Sequence, residues 1–133
     1  MGILDKIFKG NNETKSTEKR SQTPWNELKT ELEIQQVKEE SKEKVIVIFK
    51  HSTRCGISKM AKRQFESEYN YSEEQVKLYY LDLIANREVS TKVAEVFGVF
   101  HESPQMIVIK DGNVVYHTSH NHISAEKIGE FVS

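Results

Sequence analysis

The 133-residue sequence predicts an α/β fold in which a mixed central sheet of about four strands is covered by helices on both faces. Three observations carry that prediction. The run Val45-Ile46-Val47-Ile48-Phe49 is an unbroken series of β-branched and aromatic residues, the pattern of a strand buried on both sides. After it, strand-like and helix-periodic segments alternate, and strand-helix-strand units require parallel neighbours. Finally, two strand-like runs flank the short connection Asp111-Gly112-Asn113, which makes them an antiparallel pair.

The elements follow in order. Residues 9 to 22 contain no apolar residue, so they cannot repay the entropy of ordering, and residues 1–23 are expected to be a flexible extension to a domain over 24–133. Within that extension Ile3, Leu4, Ile7 and Phe8 have the spacing of a short amphipathic helix over 2–9, with a frayed end as the preferred reading. Thr30-Glu31-Leu32-Glu33 matches a capping box and starts a helix at about 31–41 that buries Ile34 and Val37 and solvates Lys38, Glu39, Glu40 and Lys42. The central strand follows. A polar loop from His51 then leads into a helix marked by Met60, Ala61 and Phe65 and reaching about Tyr69. Val76 to Leu83 is strand-like, and Val89, Val93, Val96 and Phe97 form a helix closed by Gly98. Strands at Gln105–Lys110 and Val114–Thr118 come next, and a last helix over Ser124–Val132 takes Ser124 as N-cap and turns Ile128 inward.

Composition narrows the function. Nineteen Lys plus Arg against twenty Asp plus Glu give a net charge of -1, without the basic field that nucleic-acid binding depends on. One cysteine excludes an internal disulfide and a thiolate-rich zinc site, and it fits a reducing, cytoplasmic compartment. Asp5 and Lys6 interrupt the N-terminal apolar residues, so no export signal is expected, and Lys6 stands where myristoylation needs Ser or Thr. No stretch approaches the roughly 18 apolar residues of a membrane span. A monomer without a membrane span or a nucleic-acid partner is expected.

Cys55 is the residue to which chemistry points. It lies between the C-terminal end of the central strand and the next helix, where open α/β sheets expose their crevice. Free N–H groups at a helix start favour a thiolate over a thiol, and Arg54 adds a cation alongside. Three residues on, Ser58 occupies the place where a dithiol oxidoreductase carries its second cysteine. Serine cannot resolve a disulfide, so an outside thiol must clear any adduct at Cys55. Ser58 is also expected to bond backbone groups of the first helical turn. Ser103-Pro104 directly precedes a strand, a position compatible with proline. His117, His120 and His122 cluster near the last strand but lack the spacing of a zinc site, so no metal is expected. With His51 and His101 they read as loop residues that bond backbone, and His51, at the rim of the site, could support Cys55 electrostatically.

The combination Phe49-Lys50-His51-Ser52-Thr53-Arg54-Cys55, Ile57-Ser58, His101-Glu102-Ser103-Pro104-Gln105 and Ser119-His120 with Ile123 resembles the monothiol bacilliredoxin family. Tyr80-Leu81-Asp82-Leu83 and Arg87 belong to the same likeness, which runs from about Trp25 to the C-terminus. The resemblance implies a thioredoxin-like fold with a cis-proline at Pro104 facing Cys55. It implies that Cys55 takes bacillithiol from S-bacillithiolated client proteins and that a second molecule of this low-molecular-weight thiol, acting as co-substrate, regenerates it. A flavin reductase would recycle the oxidised thiol, and no tightly bound cofactor is implied. Ser103 and Pro104 would dock the client's extended backbone, while Thr53, Arg54, Gly56 and Ser58 would surround the bound thiol. Members of the family often carry proline after the cysteine, whereas this chain has Gly56, which makes Cys-Gly-Ile-Ser similar to the Cys-Gly-Phe-Ser loop of monothiol glutaredoxins.

That second similarity defines one rival, an iron-sulfur cluster carrier in which Cys55 and a small thiol are ligands. Another is a non-catalytic interaction module with an incidental cysteine.

Overall fold

A computed structural model describes residues 23–132. The expected flexible extension, but for Thr23, and the short helix over 2–9 lie outside the described residues.

One five-stranded sheet runs in the order β1-β3-β2-β4-β5. Its strands are β1 (Trp25–Glu27), β2 (Val45–His51), β3 (Val76–Asp82), β4 (Gln105–Lys110) and β5 (Asn113–Ser119). β1 and β2 pair parallel to β3, whereas β4 is antiparallel to both β2 and β5. The helices are α1 (Glu31–Glu40), α2 (Gly56–Glu68) and α3 (Arg87–Phe97), followed by 3-10 turns at His120–His122 and Ala125–Glu130.

β2 is buried at every position because β3 and β4 flank it and side chains cover both faces. Ile46 and Ile48 join Ile34 and Val37 of α1 and Val89 and Val93 of α3 in one cluster. Val45, Val47 and Phe49 join Phe65 of α2 with Ala125 and Ile128 in the other. Successive strand residues point to opposite faces, so one continuous apolar run supplies both cores. The mixed sheet with helices on each face is the expected one.

Local signals hold where sequence and backbone agree. Thr30 Oγ1 accepts from Glu33 N at 3.2 Å and Glu33 Oε1 accepts from Thr30 N at 3.0 Å, completing the capping box. Thr30→Ala is expected to cost about 1 kcal/mol in chemical denaturation; an unchanged midpoint would show that the cap is dispensable. Gly98 closes α3 in the left-handed region at φ 66°. The β4–β5 turn is tighter than expected, Asp111 and Gly112 alone, both at positive φ as a two-residue hairpin turn requires.

Two expectations need correction. The sheet has five strands, not about four: β1 is only three residues, without β-branched residues, and forms because it docks on β3. Trp25 fixes it there, with its ring 5.8 Å from Phe49 and 5.6 Å from Phe65 and its Nε1 donating to Glu66 Oε2 at 2.7 Å. The C-terminal segment is a 3-10 turn, not an α-helix. Ser124 caps it as expected, accepting from Glu126 N at 3.3 Å, and Ile128 is buried. Tyr71, however, donates its hydroxyl to the carbonyls of Ala125 (3.0 Å) and Glu126 (3.3 Å), engaging oxygens that an α-helix would use. Gly129 permits that approach, since a Cβ there would stand 3.1 Å from the Tyr71 hydroxyl.

Candidate active site

Three chain segments meet at one end of the sheet: the C-terminal end of β2, the start of α2 and the segment entering β4. The register fixes this, because Lys50 of β2 is paired with Gln105 of β4 and His51 with Asp82 of β3. β2 ends at His51, and Cys55 N donates to Ser52 O at 3.2 Å, closing a turn with Thr53 and Arg54 exposed at its tip. That turn delivers Cys55 to the N-cap of α2 in an extended conformation, φ -106° and ψ 122°.

Cys55 is half-buried and makes no side-chain capping bond, so its sulfur is not committed to the helix it caps. Gly56, the first helical residue, has open space where a Cβ would go, and no positive φ requires glycine there. As the first helical residue, it is also where a proline would cost no helical hydrogen bond.

Ser58 differs from the expectation. It is 0% exposed, and its hydroxyl sits 2.7 Å from His51 Nδ1 while accepting from Ser52 N at 3.0 Å. Its backbone partner therefore lies in the turn before the helix, and a side chain completes its bonding. Ser58→Ala would strand a buried N–H and a ring nitrogen, and is expected to lower stability by about 2 kcal/mol in urea unfolding. An unchanged urea midpoint would count against that role.

His51 is likewise corrected. It is no loop residue bonding backbone: it is the buried last residue of β2, bonded to the Ser58 side chain and lying 5.6 Å from the Tyr80 ring. Burial, with help from the Lys62 ammonium, pushes its pKa below the usual imidazole value against the opposing Ser58 backbone and Asp82 carboxylate. A neutral imidazole at physiological pH supplies no positive charge, so His51 acts as a hydrogen-bonding post for the turn.

The Ser103–Pro104 peptide bond is cis. Pro104 is buried, its carbonyl accepts from His120 N at 3.1 Å, and Ser103 Oγ is buried without a partner. His101 differs too, since its ring Nδ1 meets the side chains of Lys50 and Ser90. His120 approaches the Glu102 carboxylate at 3.6 Å, and His117 lies in β5. Among the described residues no three His, Cys, Asp or Glu form a group that could hold a metal, and no helix is long and apolar enough to cross a membrane.

Sequence reasoning missed several features of this end of the fold. Ile57 and Met60 are 65% and 70% exposed and line an open groove of about 340 Å³ with Ala61, His120 and Ile123. Phe100, just before the Ser103–Pro104 segment, is 92% exposed. Lys50 is completely buried although it is a lysine in the strand that leads to the cysteine. Lys50 directly follows the apolar run of β2 and precedes polar residues, so no local signal in the sequence marks it as buried.

The family model for monothiol bacilliredoxin matches residues 26–128. A solved structure described only as an oxidoreductase candidate with a thioredoxin fold is 30% identical, with 82% of this chain and 94% of that chain covered at a TM-score of 0.70. Thioredoxins from Fasciola hepatica (23% identical, 80% of this chain and 94% of that one, TM-score 0.59) and Trypanosoma brucei brucei (19%, 84% and 95%, TM-score 0.62) share the fold.

Proposed function

Because the chain belongs to the monothiol bacilliredoxin family, a group of thioredoxin-fold redox proteins, we propose that it is a monothiol oxidoreductase that removes bacillithiol from client proteins through Cys55. The observation that carries this reading is the pairing of an uncommitted cysteine at the start of α2 with a serine three residues on, whose hydroxyl is fully engaged by His51 and Ser52. Cys55, as thiolate, attacks the bacillithiol sulfur of the client's mixed disulfide. A new bond forms from Cys55 to bacillithiol, the old disulfide breaks, and the client sulfur leaves as thiolate. A second bacillithiol, as thiolate, then attacks the bacillithiol sulfur of the adduct, releasing Cys55 and oxidised bacillithiol. The mixed disulfide takes up two electrons, and they are balanced by oxidation of its own bacillithiol moiety together with the second bacillithiol to their disulfide; a flavin reductase restores the oxidised thiol.

Ser103 and Pro104 would receive the client's extended backbone, and Thr53, Arg54 and Gly56 would border the thiol's acidic groups. The reaction belongs in a reducing, cytoplasmic setting.

Intact mass after brief exposure to oxidised bacillithiol tests the reading. A single adduct at Cys55, removed by added bacillithiol and formed faster in folded than in denatured protein, is expected. Equal rates in the two states would mean that the fold does nothing for the sulfur. Visible absorbance in protein purified anaerobically would favour the cluster-carrying alternative instead.

A further inference from the structure

Lys50 stands one residue before the end of β2, yet its side chain is 0% exposed. Its Nζ lies 3.4 Å from Ser90 O and 3.3 Å from His101 Nδ1, and Ser90 Oγ reaches the same ring nitrogen at 3.3 Å. Among the described residues no carboxylate pairs with this ammonium. An unpaired buried charge is costly, so what it holds is informative.

His101 lies two residues before Ser103. Burial and the Lys50 ammonium both push its imidazole pKa down, which leaves a neutral ring at neutral pH whose Nδ1 can accept a hydrogen bond. Directly opposite Lys50 in the register, buried Gln105 donates its Nε2 to Phe100 O at 2.9 Å. Two buried side chains on neighbouring strands therefore hold Phe100 and His101, just ahead of Ser103–Pro104. His101 itself is exposed as a residue while its ring Nδ1 meets the buried Lys50 Nζ, so it roofs the lysine.

We propose that Lys50 is a positioning residue for client docking: its ammonium holds the His101 ring and thereby sets the main chain at Ser103–Pro104. This inference rests on the docking role proposed for those two residues. The lysine touches no reacting atom and acts through the loop.

The test is steady-state release of bacillithiol from a bacillithiolated peptide by the wild type, Lys50→Met and His101→Ala, with backbone amide and His-ring NMR of each. Both substitutions are expected to raise KM about tenfold with kcat within about twofold, because binding is weakened while the sulfur chemistry is intact. The amide signals of Ser103 and Gln105 should move in both variants. An unchanged KM in either variant overturns the inference, as does a fall in kcat alone. Should Lys50→Met not fold, His101→Ala decides, since its site is at the surface. A wild-type protein that does not turn over the peptide would count against the proposed function, and the Ser103 and Gln105 signals would then decide whether Lys50 sets the loop.

Discussion

Cys55→Ser is expected to reduce release of bacillithiol from a client protein to the uncatalysed rate, a loss of at least about a thousandfold, without cost to the fold. The second half of that expectation makes the first diagnostic. Cys55 is the N-cap of α2, in extended backbone geometry, and makes no capping bond through its side chain. Serine is among the preferred N-cap residues and has an oxygen that can accept from the N–H groups of the first turn. The helix should therefore be as stable as before or slightly more so, and thermal unfolding should show an equal or higher midpoint. Lost turnover with an undiminished midpoint assigns the defect to the missing sulfur. Turnover that persists in the serine variant would remove Cys55 from the chemistry and leave the non-catalytic interaction module as the better reading.

The parts of this molecule that were legible beforehand are those in which one local signal suffices. β2 could be read because five consecutive β-branched and aromatic residues need cover on both faces, and Thr30 with Glu33 marks a helix start by hydrogen-bond chemistry alone. β1 could not be read, because its three residues become a strand only through pairing with β3 and through Trp25 lodging against Phe49 and Phe65, contacts distant in sequence. The same applies to the C-terminal turn, whose geometry depends on a tyrosine more than fifty residues earlier. At the site, Cys55 was visible from its place between strand and helix. The state of His51 was not: a histidine at a strand end can face water or the core, and only the fold turns it onto Ser58 and beside Tyr80, where burial keeps it neutral. Lys50 was hidden for the opposite reason. Lysines at strand ends usually extend to solvent, and nothing local says that His101 will roof this one.

Lys50→Met is expected to stabilise the protein by about 3 kcal/mol at pH 7, and the gain should disappear as the pH rises. Burial pushes the Lys50 pKa from 10.5 down to about 8. Below pH 8 the ammonium is carried in both the folded and the unfolded chain, and the folded state bears the whole cost of having removed it from water. Between about 8 and 10.5 the unfolded chain still binds a proton that the folded chain has released. Stability therefore climbs with pH across that window, since the unfolded state binds more protons there. At about 1.4 kcal/mol per pH unit the interval from 8 to 10.5 corresponds to roughly 3 kcal/mol. Methionine fills a similar volume without charge, and the groups it would abandon are not left without partners. His101 can reach water from its exposed position, and the carbonyl that Lys50 leaves, Ser90 O, lies inside α3, where the N–H four residues on is its ordinary helical partner. Urea unfolding of both proteins at several pH values from 7 to 9.5 measures the difference. Tyr80, which burial pushes up to about 12, titrates above that range and cancels between the two proteins in any case. A difference that does not shrink between pH 7 and 9.5 would show that Lys50 is not buried as a bare ammonium. A shrinking one, with KM raised as expected for loop positioning, would mean that this fold gives up stability near neutral pH to hold the loop that receives its client.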